Sequence, residues 1–382
     1  MDFDLTDEQR LLKDSVEKML ADAYDFEARK RIVASGQGFS PEIWASFAEL
    51  GLLGLPFAEE HGGFGAGPVE TMIVMEAFGG ALVVEPYLAT VILGGGLVRH
   101  AGSPAQQSAI LPAVAAGERR LAFAHAERQA RYDLFDVETA ARRDGDGWTI
   151  NGRKGLVLGG DTADTLVVSA RTAGASRDRH GIGLFVVDAD APGVARRGYP
   201  TQDGARAAEI TLENVRVEAG AVLGDPAGAL PVIERVVEEA IAALCAEAVG
   251  AMESALASTV EYLKTRQQFG TPIGAFQALQ HRAADMLVAL EQARSMALFA
   301  TMMAGAADPR ERRAAISGAK VQVGRSARFI GQQAIQLHGG VGMTMEFRIG
   351  HVFKRLTMID TLFGDADHHL ALAAEAGGLI NA

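Results

Sequence analysis

The hydrophobic period changes twice along this chain, and that alternation restricts the fold more than any single motif does. Up to residue 118 apolar side chains recur at the helical spacing of about 3.6, from 119 to 222 at about 2, and beyond at helical spacing again. The expected architecture is mainly α with a β insert. It comprises an N-terminal helical domain at 1–118, a middle antiparallel β domain at 119–222 and a C-terminal helical bundle at 223–382.

Local signals agree. Thr6-Asp7-Glu8-Gln9 has capping-box spacing directly before Leu11, Leu12, Val16 and Leu20, so a helix starts there. Further helical patterns cover 41–52, 69–78 and 105–116. Thr165–Ser169, Gly183–Val187 and Glu209–Leu212 read as strands, with Asp144-Gly145, Asp146-Gly147 and Asn151-Gly152 as hairpin turns. After Pro231, the positions Val237, Ile241, Leu244, Ala248 and Met252 share one helix face.

Composition excludes several functions. The formal net charge of −12 has the wrong sign for a general nucleic-acid binder. Cys245, the single cysteine, rules out an intrachain disulfide, and its apolar neighbours argue against a nucleophile. Met1-Asp2-Phe3-Asp4 lacks the basic start of a signal peptide, and the apolar region 81–98 is broken by Glu85, Pro86 and Gly94-Gly95-Gly96. A cytoplasmic protein with no membrane partner is the expectation.

Gly62-Gly63-Phe64-Gly65-Ala66-Gly67 does not fit a dinucleotide fingerprint and reads as a turn between helices. His368-His369 point about 100° apart on a helix and make a poor metal pair, so no metal is expected. Two runs carry more. Arg266 precedes Gln268, Phe269, Gly270, Pro272, Phe276 and Gln277, where a long helix ends and a guanidinium can project as a bidentate phosphate clamp. Gln336, Gly339, Gly340, Gly342 and Glu346 form a glycine cluster that lets backbone N–H groups approach a pyrophosphate. Either run alone also reads as an ordinary helix end.

Together, R-x-x-F-G-x-P-I-x-x-F-Q-x-x-Q and Q-x-x-G-G-x-G-x-x-x-E resemble the two signature runs of the acyl-CoA dehydrogenase family. Leu5-Thr6-Asp7-Glu8-Gln9 and the segment Glu49–Gly63 are similar to that family as well, so the resemblance spans nearly the whole chain. Within the family it extends to the small-subunit type of pimeloyl-CoA dehydrogenase. The resemblance implies FAD as cofactor, an acyl-CoA substrate and an electron-transfer flavoprotein as acceptor. It also implies an oligomer in which Arg266, Gln268, Phe269, Gln277, Gln336, Gly339 and Gly340 hold the ADP half of a neighbour's FAD.

The same resemblance exposes departures. The family's catalytic glutamate would abstract the substrate α-proton from an E-G-T run, and Phe363 stands at its place, with Asp365 where threonine is expected. The alternative base position on the long helix falls on Ala240, beside Glu238 and Glu239. Ala126-Glu127-Arg128 and Leu156-Val157-Leu158 replace runs that contact the flavin ring. Three readings follow: the base-lacking subunit of a heterotetramer with a homologous large subunit; a self-sufficient homotetramer using Asp365 or Glu239 as relocated base; and a non-catalytic flavin- or CoA-binding assembly protein. Arg128 and Arg131 are candidates for the distal carboxylate of a dicarboxylyl-CoA, or simply exposed loop residues.

Overall fold

The computed structural model describes residues 4–375. Six α-helices come first among the described residues: α1 (Asp7–Ala23), α2 (Phe26–Ala34), α3 (Pro41–Glu49), α4 (Pro68–Ala81), α5 (Gly96–Ala101), which continues a π-helix at Leu88–Gly95, and α6 (Pro104–Ala115). Eight strands follow: β1 (Leu121–Ala124), β2 (Ala140–Asp144), β3 (Gly147–Leu158), β4 (Thr165–Arg171), β5 (Ile182–Asp188), β6 (Val194–Pro200), β7 (Arg206–Val217) and β8 (Val222–Leu223). Then come α7 (Leu230–Thr265), a two-stranded hairpin of β9 (Gln267–Gln268) and β10 (Thr271–Pro272), α8 (Gln277–Ala304), α9 (Pro309–His338), α10 (Arg348–Thr361) and α11 (Ala366–Glu375). The first capping box is present: Thr6 Oγ1 accepts from the Gln9 amide at 3.2 Å, and the Thr6 amide donates to Gln9 Oε1 at 3.0 Å.

Two compact units cut across the sequence order. One combines the chain up to Arg31, Pro68–Val83 and the chain from Ile241 onward. Within it α4 and α7 touch backbone to backbone: a Cβ added at Gly250 would run into the Glu76 carbonyl, and one at Gly79 into the Glu247 carbonyl. Charge ties both helices to their neighbours: Glu247 on α7 takes both Nε and Nη2 of Arg355 on α10 at 2.6 Å, and Arg294 on α8 reaches Glu76 on α4 at 2.8 Å and Glu253 on α7 at 3.3 Å. By length and composition α7 could cross a bilayer, but 78% of its most apolar window is buried, as in the core helix of a bundle.

The other unit, Ile32–Gly67 with Val84–Ala240, contains the sheet in the order β6-β7-β3-β2-β4-β5-β8, with β1 paired to β4. The antiparallel expectation needs correction here: β1 runs parallel to β4, and β2 meets β4 in parallel at Ala140 and Arg171. The long excursion between β1 and β4 lets the chain re-enter in the same direction. Asn151-Gly152 is likewise not a turn. It lies inside β3 at a register shift against β7, where a Cβ on Gly152 would overlap Thr139. Trp148, Ile150, Leu166, Val168, Phe185, Ile210 and Leu212 fill the core of the sheet.

Gly250→Ala is expected to destabilise the protein by about 1–3 kcal/mol, because two helix backbones must separate to admit the methyl group. Gly318, with open space around it in α9, is the control; its change to alanine should be neutral or raise stability by about 0.5–1 kcal/mol. Denaturant titration of both variants checks the pair.

Candidate active site

The two cofactor-type runs meet at one end of the helical bundle. The long helix α7 stops at Thr265, and the chain reverses through Phe269 and Gly270, both at positive φ (54° and 79°), between β9 and β10. Two consecutive left-handed residues make the tight turn whose twist matches a two-residue hairpin. Phe269 is 91% exposed in that conformation, meeting Phe276 edge-on at 6.1 Å. A bulky residue held left-handed and in solvent is strain without local return, which points to use by a ligand or neighbour.

The C-terminus of α9 lies alongside. The Tyr262 ring on the last turns of α7 stacks on His338 at 4.5 Å, and Arg282 on α8 donates to Gln333 on α9 at 2.9 Å. Gly339 then adopts φ 61° and ψ −141°, a conformation open essentially only to glycine, and its N–H bonds the Gln336 and Ile335 carbonyls. Arg266, Gln268, Phe269, Gln277, Gln336, Gly339 and Gly340 are all exposed, and a Cβ at Gly339 or Gly340 would meet nothing within 4 Å. An open glycine cradle beside a free guanidinium suits a pyrophosphate, so this end of the bundle fits the ADP half of FAD.

The flavin-ring positions lie in the sheet unit and fit less well. The Gly155 amide donates to the Ala126 carbonyl at 2.8 Å, so the runs around Ala126 and Leu156 are adjacent. Leu156 is left-handed (φ 46°) and 42% exposed. Ala126, Leu156 and Leu158 offer aliphatic side chains and no hydrogen-bond donor.

Beneath them lies a buried polar cluster that the sequence reading passed over. Lys154 Nζ donates to Glu127 Oε1 at 2.6 Å, to Ser169 Oγ at 3.1 Å and to the His125 carbonyl at 3.1 Å. Glu127 also accepts from the Glu138 and Thr139 amides at 2.8 and 3.1 Å. Burial pushes the Glu127 carboxyl up, but the Lys154 ammonium and these donors prevail and hold its pKa down at about 2. Burial draws Lys154 down to about 8 and His125 to about 3, so the imidazole is neutral. Strand parity was the available signal, since Lys154 shares the inward side with Trp148 and Ile150.

The candidate base positions carry either no carboxylate or one already engaged by fixed donors. Phe363 sits left-handed (φ 58°) in the turn after α10, and its carbonyl accepts from His369 Nε2 at 3.1 Å. Asp365 caps α11, accepting from the His368 amide at 2.9 Å. Ala240 is fully buried. Glu239 receives Arg99 at 2.6 Å and His100 at 2.9 Å. Burial raises its pKa, but His100 and the cations Arg99 and Arg235 outweigh that, leaving it below the ordinary value. That is the wrong direction for a base that must take a proton near neutrality. Cys245 is buried and its thiol is pushed up to about 11. No group of three metal-ligating side chains occurs among the described residues.

Family models for the acyl-CoA dehydrogenase N-terminal, middle and C-terminal domains match residues 6–118, 122–215 and 229–378. "Probable acyl-CoA dehydrogenase YngJ" of Bacillus subtilis is 31% identical over 371 residues, covering 94% of this chain and 95% of that protein. Among solved structures, a glutaryl-CoA dehydrogenase from Mycobacterium smegmatis in complex with FADH2 is 25% identical, with a TM-score of 0.89 over 99% of this chain and 96% of that one. The ChsE4-ChsE5 complex from Mycobacterium tuberculosis gives 26% identity and a TM-score of 0.89 over 100% of both chains. The chain belongs to the acyl-CoA dehydrogenase family of FAD-dependent oxidoreductases.

Removing Lys154 should be costly, since it strands Glu127: Lys154→Ala is expected to lose about 3–5 kcal/mol. The depressed Glu127 carboxyl contributes stability that is complete above its unfolded pKa of 4.5 and disappears as pH falls toward about 2. Stability measured across that window should therefore fall less steeply in Glu127→Gln than in the parent.

Proposed function

We propose that this chain is the base-lacking subunit of a heteromeric acyl-CoA dehydrogenase, catalysing α,β-desaturation of an acyl-CoA thioester together with a homologous large subunit. The observation that carries the reading is selective loss. Arg266, Phe269, Gln336, Gly339 and Gly340 stand exposed at one bundle end, whereas no proton acceptor stands at Phe363 or Ala240. General decay would erode both sets alike. The solved ChsE4-ChsE5 complex, to which this chain is similar along its full length, carries the names of two proteins, which supports a mixed assembly here.

In this reading Arg266 holds the pyrophosphate, the glycine turn supplies backbone donors, and Phe269 and Gln336 line the adenosine side. FAD supplies the acceptor for the hydrogen leaving the β-carbon, and a carboxylate of the large subunit takes the α-proton. Electrons then pass to an electron-transfer flavoprotein, as the family resemblance suggests. Arg128 and Arg131 are exposed on the loop after β1, open to a distal carboxylate of a dicarboxylyl-CoA.

Co-expression with a homologous subunit bearing the glutamate is the test. The mixed complex should hold FAD that acyl-CoA bleaches under anaerobic conditions, and Asp365→Asn in this chain should leave bleaching intact. Arg266→Ala should lower flavin retention in that complex. Abolition of bleaching by Asp365→Asn would instead favour a self-sufficient homo-oligomer with a relocated base, and a complex that binds FAD but never bleaches would favour a non-catalytic assembly protein.

A further inference from the structure

The last side chain of α9, His338, occupies an unspecified position of the glycine run, directly before Gly339, and packs against the helix that leads to Arg266. It is only 2% exposed. Its ring stacks on Tyr262 at 4.5 Å with 28° between planes, and on the other side meets Phe347 at 5.1 Å and 48°. Nδ1 is 2.8 Å from the Ala334 carbonyl. A carbonyl only accepts, so the proton is on Nδ1 and Nε2 keeps a lone pair. Nε2 is buried without a hydrogen-bond partner of ordinary geometry. The Ser258 carbonyl on α7 is near enough to favour a protonated ring, yet burial dominates and holds the pKa below the usual histidine value.

Each contact leads to one of the two runs. Tyr262 accepts the Arg266 amide at 2.9 Å through its own carbonyl, so the stacked ring is one helical turn from the guanidinium. On the other side, His338 is bonded directly to Gly339, and a Cβ at Gly342 would come within 2.9 Å of the His338 Cβ. The glycine turn is therefore folded against this residue. An imidazole whose tautomer is fixed by one hydrogen bond, and whose plane is fixed by two rings, cannot rotate without shifting α9 relative to α7.

We propose that His338 is a positioning residue that sets the spacing between Arg266 and the Gly339–Gly340 turn, and thereby the affinity for the adenosine diphosphate half of FAD. The inference rests on the reading above, that these two runs grip FAD. A side chain that never touches the cofactor would then control how well two separate helix ends close on one pyrophosphate. Displacing either end by a fraction of an ångström lengthens charge-assisted hydrogen bonds whose strength depends on close, aligned geometry.

The test uses the assembled flavoprotein, stripped of flavin and titrated with FAD, for the parent and for His338→Phe, His338→Ala and Arg266→Ala. His338→Phe keeps a ring between Tyr262 and Phe347 but loses the bond to Ala334. It should leave the thermal midpoint of the apo assembly near the parent's while raising the Kd for FAD about tenfold, the loss of roughly one orienting hydrogen bond. His338→Ala should raise the Kd further. A purely structural role would move the midpoint and leave Kd unchanged in His338→Phe, and that result, with Arg266→Ala weakened, overturns the positioning role alone. A normal affinity in Arg266→Ala overturns the clamp itself and the role of His338 with it. Should His338→Ala not assemble, His338→Phe decides the matter.

Discussion

The close approach of α4 and α7 is the contact on which the helical unit depends. Side-chain packing ordinarily separates helix axes by 8–10 Å or so. At Gly79 and Gly250 there is no side chain to keep them apart, and carbonyls of Glu76 and Glu247 occupy the space. The same two residues carry the charges there: the side chains of Glu247 and Glu76, whose carbonyls form the contact, are taken by Arg355 and Arg294. At 36 residues α7 is about 54 Å long, and the helix anchored at its middle leads at its far end directly into the exposed Arg266 hairpin. In the proposed reading, a clamp on that hairpin would gain from such rigid support.

Three buried ionisable groups in this chain, Lys154, Lys320 and Glu239, are held by fixed partners. Lys154 and Glu127 are removed from water and bonded to each other, to Ser169 and to loop amides. Lys320, drawn down to about 8 chiefly by burial, donates to the Ile359 and Asp360 carbonyls at the end of α10. Glu239 pairs with Arg99 at 2.6 Å and hydrogen-bonds His100 at 2.9 Å. A catalytic carboxylate needs a dry site without a fixed cation, so that its proton affinity rises toward neutrality. None of these three environments has that character, and Phe363 has no proton acceptor at all.

Much of this was legible in the sequence. The capping box at Thr6, the strands Thr165–Arg171 and Ile182–Asp188, and the long helix ending before Gly270 follow from spacing that any helix or strand with one buried face must show. That Arg266 and the Gly339–Gly340 turn both fall at helix ends was legible from their spacing, although either run alone reads as an ordinary helix end. The parallel pairing of β1 with β4, the bulge at Gly152 and the division into two units were not, because each depends on partners distant in sequence. His338 escaped for a related reason. Its neighbour Tyr262 lies on another helix, and nothing local to Leu337-His338-Gly339 distinguishes a pin from an ordinary helix terminus.

Flavin content of the isolated chain bears most directly on the central claim, that the ADP clamp has been kept while the ring-binding donors and the base have been lost. Purified alone and given excess FAD, the chain should retain well below one flavin per subunit after gel filtration, with whatever remains unbleached by acyl-CoA. Full occupancy by FAD that an acyl-CoA substrate reduces in the isolated chain would contradict the account.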